Sequence, residues 1–249
     1  MEIIKKTREV GKSSGVLLPR SWLNKQVVVK LLTPDTDTIS KEIIEILIKS
    51  QLLQGTIGIY LIGSYARHEE DENSDIDILV ITSSTNKLLK YGNCEINLIK
   101  KTDIQKGLTK DLHIISILKE ALPLLNKEYL EELKQQINLK KFNLSFLQEI
   151  KRVLKLNELV IAGEDTVNSG VIYSIILRLR ELYILDCIFH NKAHSKKEFI
   201  SLIGDKGIYQ IYEDIKNDLH NEKRTTSEEA IKILNKARTM LKKWEKKRG

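Results

Sequence analysis

The sequence predicts an α+β protein in three parts: a small β module over residues 1–33, an α/β sandwich with a mixed sheet over residues 38–142, and a helical bundle over residues 143–249. Three observations carry this reading. Short β-branched runs broken by Gly, Ser and Pro fill the first part. Apolar strands alternate with helical stripes in the second, and from about residue 143 the apolar spacing stays helical.

Residues 4–10 alternate loosely and Gly11–Gly15 is a turn signal. An apolar run then leads to a Pro-initiated turn near Ser21, and Val27 to Leu32 reads as a further strand. A module this short buries no core alone, so it must pair with a second copy or pack on the rest of the chain. Pro34 and the Thr/Asp cluster around it end the module. Residues 40–54 set Ile43, Ile44, Ile46, Leu47, Leu52 and Leu53 on one helical stripe, with Ser40 as the cap. A strand at 57–63, a polar helix through Ala66 to about Glu70, a strand at 74–82 and a third at 94–101 follow. From Asp111 the pattern is helical through Leu125 and again across 128–161. Further helices centre on 168–190, 195–203, 207–220 and 226–247, and no internal repeat is visible.

With 41% hydrophobic residues and only three prolines, the 249-residue chain is not disordered or collagenous. No apolar stretch reaches the roughly 18 residues that span a bilayer. The charged start lacks a signal-peptide core, so a cytoplasmic protein without a membrane partner is expected. Cys94 and Cys187 stand far apart with no metal-ligand spacing and read as core residues. The net charge of +7 is uneven: residues 1–30 carry +5, residues 224–249 carry +6, and the stretch between carries −4. Such basic ends suit a polyanion as partner, and equally suit solvated faces.

Chemistry concentrates in LIGSYARHEEDENSDIDILVIT. Gly63 ends an apolar strand and lets backbone approach a ligand closely; Ser64 opens a helix whose free amides favour an anion. Asp75 and Asp77, two apart on a strand, project from one face while Ile76 and Ile78 face the other. Two such carboxylates repel unless a cation lies between them, and a hard ion such as Mg²⁺ suits oxygen donors. The strand runs from polar to apolar, which sets the acids at one sheet edge beside the Gly-Ser turn.

This string resembles the signature of the DNA polymerase beta-type nucleotidyltransferase superfamily, a Gly-Ser pair, about ten residues, then Asp-x-Asp, and above all its minimal archaeal and bacterial branch. Gly63, Ser64, Tyr65, Ala66, Arg67, Glu69, Ser74, Asp75, Ile76, Asp77, Leu79 and Val80 carry the match. The resemblance implies metal ligation by Asp75 and Asp77, with Mg²⁺ or Mn²⁺ as the ion, and triphosphate contacts from Gly63 and Ser64, with Arg67 as a further nucleotide contact. It also implies ATP or another NTP as donor, a hydroxyl as acceptor, a protein side chain among the options, and a third carboxylate on a later strand. Alignment puts Asn97 where that acid belongs, so Asn97 is a metal-ligand candidate, while Glu95, two residues earlier on the same strand face, is the candidate catalytic acid. Asn97 can ligate through its amide oxygen but is no base. Arg67 has two readings, phosphate contact or pairing within Glu69–Glu72.

Val10, Gly11, Ser13, Val16, Leu18, Pro19, Trp22, Lys25 and Val27 resemble the AbrB-like swapped-hairpin regulators. That likeness implies a homodimer and DNA contact by Arg8, Lys12, Arg20 and Lys25, and it supports the alternative of a DNA-binding regulator or antitoxin-like module with a nucleotide-sensing transferase domain. The helical part loosely resembles HEPN-type bundles, but no Arg precedes a His at the spacing of the HEPN ribonucleases. Its apolar run from Val171 to Phe189 reads as the central helix, with Arg178 and Arg180 directed to a ligand cleft. His113 is expected as a cap or core residue, His190 and His194 in a turn, and His220 on the surface.

Overall fold

The structure is a computed structural model that describes residues 3, 5, 7–29, 34–71, 74–217, 219 and 224–248. It forms two compact units, Met1–Pro34 and Asp35–Gly249. In the first, β1 (Arg8–Val10) and β2 (Ser13–Gly15) make a hairpin whose tight turn places Gly11 at φ 62°. A single 3-10 turn, Arg20–Trp22, follows. The strand expected from Val27 is not formed over Val27–Val29, where Val28 is 96% exposed and no described residue pairs with the backbone; the remainder of that run lies outside the described residues.

The second unit opens with α1 (Thr36–Lys49), which starts four residues before the expected Ser40. Asp35 rather than Ser40 caps it, its side chain accepting from the Thr38 N–H at 2.8 Å. β3 (Thr56–Ile62), the one-turn α2 (Gly63–Ala66), β4 (Ile76–Thr82), β5 (Lys87–Tyr91), β6 (Cys94–Lys100), α3 (Lys101–Gly107), α4 (Leu112–Glu120), β7 (Leu122–Leu125) and α5 (Lys127–Gln136) complete the sandwich. The sheet order is β5-β6-β4-β3-β7, with β4 and β6 parallel and the other neighbours antiparallel.

Three corrections concern this region. The helix expected to reach Glu70 stops at Ala66, because Arg67 closes the turn and His68 takes φ 56°. β5 is a short exposed edge strand whose alternation was too weak to read. The helix expected through Leu125 ends at Glu120, since Pro123 cannot sit inside a helix and is tolerated on the edge strand β7.

Alternation along the strands divides the core. Ile59, Leu61, Ile76, Ile78, Val80, Cys94, Ile96 and Leu98 pack with α1 on one face. Tyr60, Ile62, Leu79 and Ile81 pack with α3, α4 and α5 on the other. Asp77, Glu95 and Asn97 have the parity of this second face.

The remaining helices are α6 (Phe146–Ala162), α7 (Ser169–Phe189), α8 (Lys196–Ile203), α9 (Lys206–Lys216) and α10 (Ser227–Arg248); the two-residue strands β8 (Thr166–Val167) and β9 (Thr225–Thr226) pair beside them. The central helix expected over this part is α7, which buries residues on all sides, from Val171 and Ile172 to Cys187 and Ile188, against α6, α9 and α10. Asn168 caps it through the Val171 N–H. Gly204, at φ 80°, ends α8, and Asp205 caps α9 at once, which fixes the sharp α8–α9 turn. Ile115 carries α4 into this helical core as well. Among the described residues no helix is long and apolar enough to cross a membrane.

Leu179 is fully buried at the centre of α7. Leu179→Ala should therefore cost about 2–5 kcal/mol of stability in urea unfolding followed by circular dichroism. A loss below about 1 kcal/mol would show that α7 is not the centre of the helical core.

Candidate active site

β3 and β4 pair so that Ile62 lies opposite Asp77. The next residue of the chain, Gly63, takes φ 73°, and a Cβ built there would stand 2.2 Å from Asp77 Oδ2. Glycine is required on both grounds, left-handed backbone and the carboxylate packed against its Cα. On the parallel neighbour β6, Glu95 is the register partner of Asp77 and shares its face. Asn97 is the partner of Leu79, one pair further into the sheet. Asp75 lies exposed just before β4. Lys90 on β5 reaches Glu95 Oε2 at 2.8 Å.

Burial above all, and then the charge of Glu95, pushes the Asp77 carboxyl up to about 6; Asp75 and Glu120 add to the effect and Lys216 opposes it. Among the described residues no three His, Cys, Asp or Glu side chains are gathered so that they could hold a metal ion. Mg²⁺ needs no such group of three, because it takes one or two carboxylates and fills its octahedron with water and substrate phosphate. Asp77, with Glu95 beside it on the parallel strand, offers the hard carboxylate oxygens that such an ion takes.

Two residues that sequence reasoning missed meet this edge. Glu120, the last residue of α4, accepts from the Gly63 N–H through Oε1 at 3.1 Å and from Arg67 Nη1 through Oε2 at 2.7 Å. His194 Nε2 lies 3.4 Å from the same Oε2. A carboxylate in the last turn of a helix opposes the helix dipole, and that misfit was the available signal for Glu120. Lys216 ends α9, where a lysine suits the dipole and so gives no signal.

Arg67 is held on two sides, by Glu120 and, through Nε at 3.0 Å, by Glu69. Glu69 also accepts from the Lys196 N–H at 2.9 and 3.1 Å. Burial disfavours its charge, but hydrogen bonds from Ser195, Arg67 and Lys196 outweigh that and hold it below its usual pKa. Burial, against the pull of Glu120, lowers the pKa of His194. The backbone oxygen of Ser64 accepts from Glu69 N–H at 3.0 Å, which closes the loop after α2. Arg180 donates to the Tyr212 hydroxyl at 2.6 Å, and Arg178 to Glu181 at 2.8 Å. His113 is exposed on α4, neither cap nor core; Asp111 provides the cap. His190 ends α7, and His220 lies outside the described residues. Cys94 and Cys187 are buried and free. In the first unit Arg8, Lys12, Arg20 and Lys25 are all exposed.

Residues 40–151 match the family model described as the nucleotidyltransferase domain. Among solved structures, the chain is 16% identical to a nucleotidyltransferase-like protein from Exiguobacterium sibiricum, with a TM-score of 0.36, over 82% of this chain and 75% of that one. It is likewise 16% identical to a spectinomycin adenyltransferase from Enterococcus faecialis determined with ATP and spectinomycin, with a TM-score of 0.45, over 82% of this chain and 98% of that one. No curated protein matches the sequence.

Asp77 also sets a pH dependence. Its folded pKa, about 6, is above the ordinary 3.8, so the folded state binds the extra proton and loses stability as pH rises between these values. Asp77→Asn, which cannot ionise, should gain on the order of 1–3 kcal/mol over the native protein at pH 7.5 in metal-free buffer, and much less at pH 4. Equal gains at both pH values in thermal melts would refute the burial of this charge.

Proposed function

We propose, from the nucleotidyltransferase domain at residues 40–151, that the protein is a metal-dependent enzyme transferring a nucleoside monophosphate from ATP to an acceptor hydroxyl. Residues 38–142 form the transferase part on this reading, and the helices of 143–249 supply one wall of its cleft. The observation that carries it is the packing of Asp77 against Gly63 with Glu95 beside it on the parallel strand.

Gly63 and Ser64 would lie along the triphosphate, beside the Asp77 carboxylate that fills the space a Gly63 side chain would take. Asp75 and Asp77 would hold Mg²⁺ or Mn²⁺, which when bound supplies charge neutralisation for the phosphates and acidifies the acceptor hydroxyl. Lys216, at the end of α9, lowers the Asp77 pKa by its charge and on this reading would meet the outgoing pyrophosphate. In the transfer the acceptor oxygen bonds to the α-phosphorus as the bond from that phosphorus to the bridging oxygen breaks. Pyrophosphate leaves with that electron pair, and the acceptor proton passes to the Glu95 carboxylate. Asn97, opposite Leu79, takes at most a supporting place, through its amide oxygen. Arg67, already bound by Glu69 and Glu120, serves the nucleotide by shaping the loop after Ser64.

A second reading, of a DNA-binding regulator, has one observation in its favour. The first unit exposes Leu23, Val27, Val28 and Val29 together with Arg8, Lys12, Arg20 and Lys25. An apolar set of this kind is suited to a homodimer, and the cations to DNA. The full-length protein should sediment as a dimer, with Val28→Glu shifting it to a monomer; a native monomer at 100 μM, well above an ordinary dimer constant of roughly 1 μM, would dispose of this reading.

For the transferase, α-³²P-labelled ATP with Mg²⁺ and cell extract should label an acceptor. Asp75→Asn and Asp77→Asn should each reduce labelling by more than the roughly 10–100-fold cost of losing an outer-shell partner of a metal. Glu95→Gln should fall with them, whereas Asn97→Ala should retain most of the activity. Undiminished labelling by Asp77→Asn would show that the chemistry lies elsewhere.

A further inference from the structure

Next to the carboxylate edge is a cavity of about 370 Å³, bounded by α4, the end of α5 and the end of α7 with the loop that follows it. Its volume is that of a small-molecule site. Four permanent cations line it, Arg67, Lys119, Lys134 and Lys192, against one carboxylate, Glu120. Both oxygens of that carboxylate are already engaged, by Gly63 and by Arg67. Arg67 is in turn neutralised by Glu120 and Glu69.

Lys119 and Lys192 are therefore the uncompensated charges, and Lys134 is compensated only in part. Lys119 Nζ donates to the side-chain oxygen of Asn191 at 3.1 Å, a dipole without charge. Lys134 meets Glu131 at 3.4 Å in a half-exposed pair of the kind that contributes little. Lys192 pairs with no carboxylate among the described residues. Ile137 and Ile188 add apolar wall, so the cavity has the mixed lining expected of a site for a compact polar molecule. Three point charges around one small volume favour a dianion over a monoanion and repel a polyamine or an aminated sugar.

We infer that this cavity binds a small molecule carrying a phosphate ester, with Lys119, Lys134 and Lys192 as its anchors. Glu120 joins the cavity wall to the Gly63 amide, and Gly63 adjoins Asp77. On the transferase reading, on which this second step rests, the bound molecule is the acceptor. Its phosphate is a handle that stays intact, and a hydroxyl at its other end attacks the α-phosphorus of ATP.

The test uses the full-length protein and ribose 5-phosphate as probe, with ribose, inorganic phosphate and spermidine alongside, in titration calorimetry without ATP or Mg²⁺. Ribose 5-phosphate should bind saturably, ribose and spermidine should not, and inorganic phosphate should bind more weakly than the ester. Lys119→Glu/Lys192→Glu should weaken the ester at least about ten-fold, whereas Lys49→Glu, on the exposed face of α1, should not. Milder Lys119→Ala and Lys192→Ala variants, with circular dichroism as the fold control, separate lost charge from lost structure. No saturable binding, unchanged binding in the charge reversals, or equal binding of ribose would overturn the proposal. Incubation with α-³²P-labelled ATP and Mg²⁺ then separates the two claims. Labelled ribose 5-phosphate supports both; binding without labelling keeps the ligand class and removes the acceptor role. Labelling of another acceptor by a protein that binds no phosphate ester overturns the cavity proposal and leaves the transferase reading intact.

Discussion

Asp77 is packed against a backbone position that has no side chain, on a strand whose parallel neighbour presents a second carboxylate at the same level. That arrangement costs stability, because burial and the Glu95 charge hold the Asp77 carboxyl near 6 rather than at its ordinary value. The surrounding structure must supply what the site withholds. The apolar faces of β3, β4 and β6, closed by α1 on one side and by α3 to α5 on the other, keep the acid edge in register. A one-residue slip of β4 would exchange Asp77 for Ile76 or Ile78, so the alternation that builds the core also aims the site.

The loop after Gly63 is short and would be loosely held by its one-turn helix alone. Glu120 fixes it from a different part of the chain by binding the Gly63 amide and Arg67 together. Glu69 extends the same network to the amide of Lys196, and Lys196 Nζ lies 3.7 Å from both Asp71 and Glu213. Charged and amide groups on the sheet side are thus satisfied by groups on the helical side. Coupling of this kind makes the helices of 143–249 part of the site's geometry rather than a separate appendage.

The same network divides the charges. Negative potential gathers at Asp75, Asp77 and Glu95, and positive potential gathers in the cavity behind Glu120. A cation is attracted to one region and an anion to the other, with only Gly63 and Glu120 between them. On the proposed function, two ligands of opposite requirement would lie side by side, as group transfer between them demands.

Most elements of residues 35–248 were legible in the sequence because their periods are strong. Apolar runs gave β3, β4 and β6, and the 3.6-residue spacing gave α7, α8 and α9 to within a few residues. The packing of Asp77 against Gly63 was legible for another reason: both lie in one short string whose spacing brings the end of one strand beside the start of the next. β5 and β7 were not, since edge strands bury too little to leave a pattern. The choice between Glu95 and Asn97 as neighbour of Asp77 depended on the register of two strands eighteen residues apart, a quantity no local pattern contains. The meeting of Glu120, Arg67, His194 and Lys216 at one edge is of the same kind. Sequence determined which residues can do chemistry here; only long-range packing decided which of them share a site.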